Sequence, residues 1–109
     1  MTKKYCKLVR DGIPDIIRSQ GKHCVTRVLS DAEYTAKLNE KLTEELDEYL
    51  QSGEPEELAD LLEVIAAVAE NQGIDYSQLN RLRDEKRRLR GGFQKRILLL
   101  EVSDDLEKG

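Results

Sequence analysis

Two amphipathic segments joined by a very short connection constrain the fold of this chain most. Apolar residues recur at helical spacing from about Asp31 to Gln51 and again from about Pro55 to Gln72. Gly53, between them, is the residue type that commonly ends a helix, and proline suits the first turn of the next one. Two long helices joined so closely must be antiparallel neighbours, so the sequence predicts a helical hairpin.

Cap and stop residues predict the other helices. Ser30 is a predicted N-cap, and Glu33 completes a capping box at the start of the first long helix. A short helix is predicted from Pro14, and a third long helix from about Asp75 to Arg90, where two glycines follow. The predicted fold class is therefore all-α, with the hairpin and the third helix forming a bundle. Short N- and C-terminal extended segments are expected outside it.

Two segments outside the helices are ambiguous. Residues 23–30, "HCVTRVLS", alternate weakly and are predicted as a short strand. Residues 93–102, "FQKRILLLEV", could form a strand or a packed arm, and the tail from Ser103 is expected to fray. The 109 residues suit a single domain, here 1–109.

Composition indicates a soluble protein with a small aliphatic core. Hydrophobic residues make up 39% of the chain, but there is no tryptophan and one phenylalanine. A core of that kind often gains stability from subunit pairing, so an oligomer is expected. Two cysteines, Cys6 and Cys24, make neither a disulfide framework nor a zinc motif. No apolar run reaches the roughly 18 residues of a membrane span, and the N-terminus lacks the apolar core of a signal peptide. We therefore expect a cytoplasmic protein with reduced thiols and no membrane association.

Charge is distributed unevenly along the chain. Ten acidic residues and one base, Lys41, lie between Glu40 and Glu63, whereas eight basic residues lie between Arg81 and Arg96. Charge alone favours simple neutralisation within the molecule, and a combined metal and phosphate site is the alternative. Nucleic-acid binding by the basic run ranks low, because few aromatic residues accompany it and the chain is net acidic.

Helical angle separates the acids of the predicted hairpin. At roughly 100° per residue, Glu45 projects inside the apolar sector of the first helix and Glu48 lies at its edge. Glu57 and Asp60 repeat this arrangement on the second helix. Each helix thus offers an i,i+3 pair of carboxylates, and the short connection brings the two pairs to similar heights.

Four converging carboxylates in a partly apolar setting repel each other unless a cation neutralises them. Mg²⁺ suits such an oxygen-only site, and zinc does not, because no histidine cluster accompanies the acids. The alternative is that Glu45 and Glu57 reach solvent or pair with Lys41, Arg10 or the basic third helix.

Three motifs carry a resemblance to a known family. The pattern Glu44-Glu45-x-x-Glu48 followed by Glu57-x-x-Asp60 resembles the signature of the all-α nucleoside triphosphate pyrophosphohydrolases, the MazG-like superfamily. The stretch "YCKLVRDGIPDII" is similar to the N-terminal motif of a small MazG-like subgroup, and "RGGF" to its C-terminal motif. The resemblance covers most of the chain, with the motifs in the expected order.

The resemblance implies Mg²⁺-dependent hydrolysis of a nucleoside triphosphate between its α and β phosphates, with Mn²⁺ as an alternative ion. The products would be a nucleoside monophosphate and pyrophosphate, and the protein would be a homo-oligomer, a dimer or tetramer. Glu45, Glu48, Glu57 and Asp60 would be the metal ligands. Glu44 would either activate water or support the ligands from behind, and Glu44 and Glu45 are the candidate catalytic residues.

Phosphate recognition needs cations, because anionic oxygens must be neutralised during hydrolysis. The candidates are Lys7, Arg10, Lys86 and Arg90, and each could equally be a solvated charge or an ion-pair partner of the acids. Phe93 is a candidate for base stacking, although a phenylalanine at such a position is more often part of the core.

Two other functions stay open at this point. One is phosphoribosyl-ATP pyrophosphohydrolysis within the same superfamily, although "KLVRDGIP" and "RGGF" are not typical of that branch. The other is a non-catalytic helical interaction module whose acidic hairpin binds a basic partner.

Overall fold

The computed structural model describes residues 1–104, and within them the protein is all-α, with helices and no strand. This confirms the predicted fold class, and the helix ends lie within about one residue of those predicted. The helices are α1 (Ile13–Ser19), α2 (Asp31–Ser52), α3 (Pro55–Asn71) and α4 (Tyr76–Arg90).

Contacts between residues divide the chain into two compact units. The first is Met1–Tyr76, which contains the hairpin, and the second is Ser77–Gly109. The prediction of a single domain over residues 1–109 stays a prediction, and residues 105–109, which belong to the tail expected to fray, lie outside the described part.

The start of α2 is a complete capping box, as predicted. The Ser30 hydroxyl accepts a hydrogen bond from the Glu33 backbone N–H at 3.3 Å, and the Glu33 carboxylate accepts one from the Ser30 N–H at 3.0 Å. Arg27 donates two further hydrogen bonds to the two oxygens of the same carboxylate, at 2.9 and 3.0 Å. The Arg27 guanidinium, followed by Ser30, lowers the pKa of Glu33 to about 2. The segment before the helix is thereby fixed to its first turn.

The turn between α2 and α3 confirms the antiparallel hairpin. Gly53 has φ +68°, a left-handed conformation that glycine adopts without steric cost, and its N–H donates to the Tyr49 carbonyl at 2.7 Å. Pro55 is the first residue of α3. The chain therefore reverses within two residues, and α2 packs along α3.

A hydrogen bond at the open end of the hairpin fixes the two helices relative to each other. The Asn71 side-chain amide, at the end of α3, donates to the Thr35 hydroxyl near the start of α2 at 2.9 Å. With the turn at the other end, this contact holds α2 and α3 at one relative height along their full length.

The hairpin buries little apolar surface. Among the described residues, the buried hydrophobic ones are Leu38, Val64 and Ala69, which is the small aliphatic core predicted from composition. Four leucines near the turn end of the hairpin are between 43% and 69% exposed. They are Leu46, Leu50, Leu58 and Leu62.

The strand predictions were wrong. Residues 23–30 are irregular, with Val25 and Val28 almost fully exposed, and residues 93–102 contain no strand either. Leu98 and Leu99 are 80% and 74% exposed, so this segment is not a packed arm. Weak alternation becomes a strand only when another strand pairs with it, and none does within the described residues. None of the helices among residues 1–104 is long and apolar enough to cross a membrane.

Candidate metal centre

Glu45 is the buried charged residue of the first unit. Its side chain faces the α2–α3 seam, as helical angle predicted, and the residue is only 6% exposed. Lys41, one turn earlier on α2, places its ammonium 3.3 Å from the Glu45 Oε1 atom. The other oxygen, Oε2, is buried and has no hydrogen-bond partner among the described residues. A buried carboxylate oxygen in that condition is unusual, because the lost hydration is not replaced.

Glu45 is shared by two groups of acids. In the first group, one carboxylate oxygen from each of Glu44, Glu45 and Glu48 lies within 4.8 Å of the other two. In the second group, Glu45, Glu57 and Asp60 meet the same distance limit. The structure thus brings together all four predicted metal ligands and Glu44. Glu48 belongs to the α2 group, whereas Glu57 and Asp60 approach Glu45 from α3. Two overlapping carboxylate groups therefore replace the single four-acid cluster that sequence reasoning predicted.

Burial raises the pKa of Glu45 above its ordinary value. The neighbouring Glu48 carboxylate raises it further, while Lys41 acts in the opposite direction and does not compensate fully. The negative charge at this position is consequently under-neutralised by the chain itself.

Lys41 is the cation nearest the buried acid. Its side chain is 17% exposed and also lies 3.2 Å from Glu44. Burial acts to lower the pKa of Lys41, but its hydrogen bonds and charge interactions with Glu44 and Glu45 prevail and raise it. Lys41 is therefore a fixed positive charge beside the acids. Its i,i+3 and i,i+4 spacing to the two glutamates is the sequence signal for this role.

The N-terminal segment brings two further cations to the same acids. Arg10 donates a 2.7 Å hydrogen bond to Asp60, and the Lys7 ammonium lies 4.0 Å from Glu44. Lys37 on α2 donates to the Cys6 carbonyl at 3.2 Å, which ties this segment to the hairpin. Two of the four predicted phosphate-binding cations thus lie beside the carboxylates, where they now act as ion-pair partners.

The other predicted substrate residues belong to the second unit. Lys86 and Arg90 are exposed and four residues apart on α4, so they share one helix face. Phe93 follows α4 and is 94% exposed, so it is not the core residue that its position most often indicates. Gly91, with φ +85°, ends α4 as predicted.

A pocket of about 480 Å³ lies beside the acids, and sequence reasoning did not find it. It is bounded by residues 8–11 and by one face each of α2 and α3. Arg10 and Lys41 line the pocket and also contact the carboxylates. The sequence signal for it is the helical spacing of Glu63, Ala66, Ala67 and Glu70, because the two small residues leave room on that face of α3.

Comparison with known proteins adds a relative and no function. No family model matches the chain, and no solved structure matches it. An uncharacterised protein from Mycolicibacterium smegmatis is 55% identical over 42 residues, which are 38% of this chain and 43% of that protein. The chain thus matches less than half the length of this relative.

Proposed function

We propose that the protein is a Mg²⁺-dependent nucleotide pyrophosphohydrolase that cleaves nucleoside triphosphates between the α and β phosphates. The products are a nucleoside monophosphate and pyrophosphate. One observation carries the proposal. The buried Oε2 atom of Glu45 has no hydrogen-bond partner among the described residues, while carboxylate oxygens of Glu57 and Asp60 lie within 4.8 Å of the Glu45 carboxylate. A cation bound there would remove the cost of burying that charge.

The donor set fits Mg²⁺ and, as an alternative, Mn²⁺. The two carboxylate groups offer oxygen atoms and no nitrogen or sulfur, which suits hard divalent cations rather than zinc. Glu45, Glu48, Glu57 and Asp60 would hold the ion. When bound, the ion would neutralise phosphate charge and orient the phosphate oxygens.

The surrounding residues have matching tasks in the proposed reaction. Glu44 lies beside this group and can take a proton from the attacking water. Lys7 and Arg10 can then stabilise charge on the phosphates. Their present ion pairs are about half exposed, and exposed pairs contribute roughly 0–1 kcal/mol, so exchanging a carboxylate for a phosphate costs little.

Assembly and location are part of the proposal. The partly exposed leucines at the turn end of the hairpin are an apolar face that a second copy of the chain could cover, which supports a dimer or tetramer. Cys6 and Cys24 are both free thiols, which is in keeping with the proposed cytoplasmic location.

The test is hydrolysis of a panel of nucleoside triphosphates, with phosphoribosyl-ATP included, in Mg²⁺ and in EDTA. We expect pyrophosphate and nucleoside monophosphate in equal amounts, loss of activity in Glu45→Gln, and wild-type activity in Glu56→Gln, an exposed acid outside both carboxylate groups. Absence of pyrophosphate with every triphosphate would contradict the proposal. Hydrolysis of phosphoribosyl-ATP alone would assign the chain to that branch of the superfamily instead.

One observation favours a second candidate, a non-catalytic helical interaction module. Lys41 and Arg10 already pair with Glu45 and Asp60, which reduces the need for a metal ion, while the acids Asp47 and Glu48 are exposed to a basic partner. This candidate predicts a melting temperature that Mg²⁺ does not change. The hydrolase predicts a rise with Mg²⁺ that is lost when Glu48 and Glu57 are both replaced by glutamine.

A further inference from the structure

The pocket beside the acids is adjacent to the candidate metal centre, because two side chains belong to both. Arg10 lines the pocket and donates to Asp60 at 2.7 Å, and Lys41 lines it and lies 3.3 Å from Glu45. Its volume, about 480 Å³, is within the range of small-molecule sites. A molecule with phosphates at the acids would therefore extend its other end into this pocket.

The α3 wall of the pocket has a carboxylate at each end. Glu63, Ala66, Ala67 and Glu70 follow each other at i, i+3, i+4 and i+7, so they share one helix face. The two alanines present only their methyl groups. Glu63 and Glu70 are separated by two helical turns, roughly 10 Å along the axis. Neither carboxylate has a side-chain hydrogen bond or ion pair within the described part of the chain.

The α2 wall runs from an aromatic ring to a cation. Tyr34, Leu38 and Lys41 follow at i, i+4 and i+7 and all line the pocket. Tyr34 is half-buried, and Lys41 is at the end that contacts the candidate metal centre. The wall thus changes from a positive charge to an aromatic surface over about two turns.

The contact between Thr35 and Asn71 sets which ends of the two walls lie together. Because this hydrogen bond joins the start of α2 to the end of α3, Tyr34 lies at the level of Glu70, and Lys41 lies nearer the acids. The end of the pocket at the candidate metal centre consequently has the cations Arg10 and Lys41 together with Glu63, and the distal end has the Tyr34 ring and the Glu70 carboxylate.

We propose that this pocket binds the nucleoside part of the substrate and favours a base with adjacent N–H donors, with guanine as the best fit. The position of the phosphates in this inference rests on the proposed function. An ionised carboxylate can only accept hydrogen bonds, and Glu70 would accept both the ring N–H and the amino group of guanine. The Tyr34 side chain offers a ring for contact with the base. In thymine, carbonyl oxygens flank the ring N–H on both sides, and the carboxylate oxygens of Glu70 would repel them.

Binding can be measured separately from catalysis with α,β-methylene analogues, which cannot be cleaved at the proposed bond. We would titrate the guanosine, inosine and thymidine analogues into the protein in Mg²⁺ by calorimetry. Inosine differs from guanosine only by the missing amino group. We expect the guanosine analogue to bind about tenfold more tightly than the inosine analogue, as for the loss of one hydrogen bond to a charged group.

Glu70→Gln should bring the two affinities within about threefold of each other, because a neutral amide accepts less strongly. Glu56→Gln, an exposed acid on α3 outside the pocket, should keep the full difference, and Glu70→Ala is a second variant at the same exposed position. Equal binding of the guanosine and inosine analogues, no binding of any analogue, or a preference that survives both Glu70 variants would overturn the inference. Selective binding without hydrolysis of the parent nucleotides would contradict the proposed activity and support the pocket.

Discussion

Lys41 contacts one carboxylate oxygen of Glu45, at 3.3 Å, while the other oxygen of that buried group has no hydrogen-bond partner among the described residues. The two oxygens of one side chain thus have different surroundings. The lysine pairs with Oε1, and the buried Oε2 is the oxygen that we propose a cation would contact. A divalent ion could therefore bind without displacing Lys41.

The first prediction concerns Glu45→Gln. Removing a buried, under-neutralised charge should leave the melting temperature in EDTA equal to that of the wild type or a few degrees higher. The wild type should gain stability with Mg²⁺, by about 2.7 kcal/mol at a free concentration one hundred times Kd, and the variant should not. Thermal unfolding with and without Mg²⁺ measures both effects, with Glu56→Gln as the control. An equal Mg²⁺ response in Glu45→Gln and the wild type would remove Glu45 from the site.

The second prediction separates metal binding from substrate binding at Arg10. The guanidinium pairs with Asp60 and competes with a cation for that carboxylate. Arg10→Gln should therefore bind Mg²⁺ up to about fivefold more tightly, since an exposed ion pair contributes at most about 1 kcal/mol. The same variant should hydrolyse nucleotides more slowly, because a cation for the phosphates is lost. Calorimetry and steady-state kinetics test the two parts, and a simultaneous loss of Mg²⁺ affinity would contradict the competition.

The third prediction concerns the hairpin turn. Gly53→Ala forces an L-residue into the left-handed conformation and should destabilise the fold by about 1–2 kcal/mol. Gly12→Ala is a matched control, because Gly12 has φ −82° and an added methyl group would meet nothing within 4 Å. Urea unfolding of both variants gives the comparison. A Gly53→Ala protein as stable as Gly12→Ala would show that the turn conformation is not required.

The fourth prediction is a pH dependence at the start of α2. The pKa of Glu33 falls from 4.5 to about 2 on folding, through Arg27 and the cap. A lowered carboxyl pKa stabilises the folded state above about pH 4.5, and that contribution is lost as pH falls toward 2. Glu33→Gln should melt a few degrees below the wild type at pH 7, and the difference should disappear near pH 2. Melting curves at intervals between these pH values test the window; a constant difference throughout would contradict it.

The hairpin could be predicted because its determinants are local. Each helix end is set by residues at that end, namely Ser30, Glu33, Gly53 and Pro55. The position of Glu45 within an apolar stripe was enough to predict that its side chain is buried. The strand predicted at residues 23–30 failed for the opposite reason: a strand depends on a partner elsewhere in the chain.

The surroundings of the acids were only partly predictable. Lys41 and Arg10 were among the alternatives for pairing, but angle and spacing could not decide which acid each would contact. The Asn71–Thr35 hydrogen bond and the pocket depend on the relative height of two helices and on the path of residues 8–11. Those properties come from packing, which a pattern in one segment does not contain.

The two-residue connection at Gly53 also bears on how the molecule folds. Glu45 on α2 and Glu57 on α3 lie in the same group of carboxylates and are only twelve residues apart in sequence, so closing the hairpin costs little chain entropy and should be fast. The carboxylates then meet in the same step that brings the helices together, and their mutual repulsion opposes it. We therefore expect divalent cations to act on the folding rate as well as on the finished protein, so that the ionic content of the medium helps decide how readily the hairpin forms.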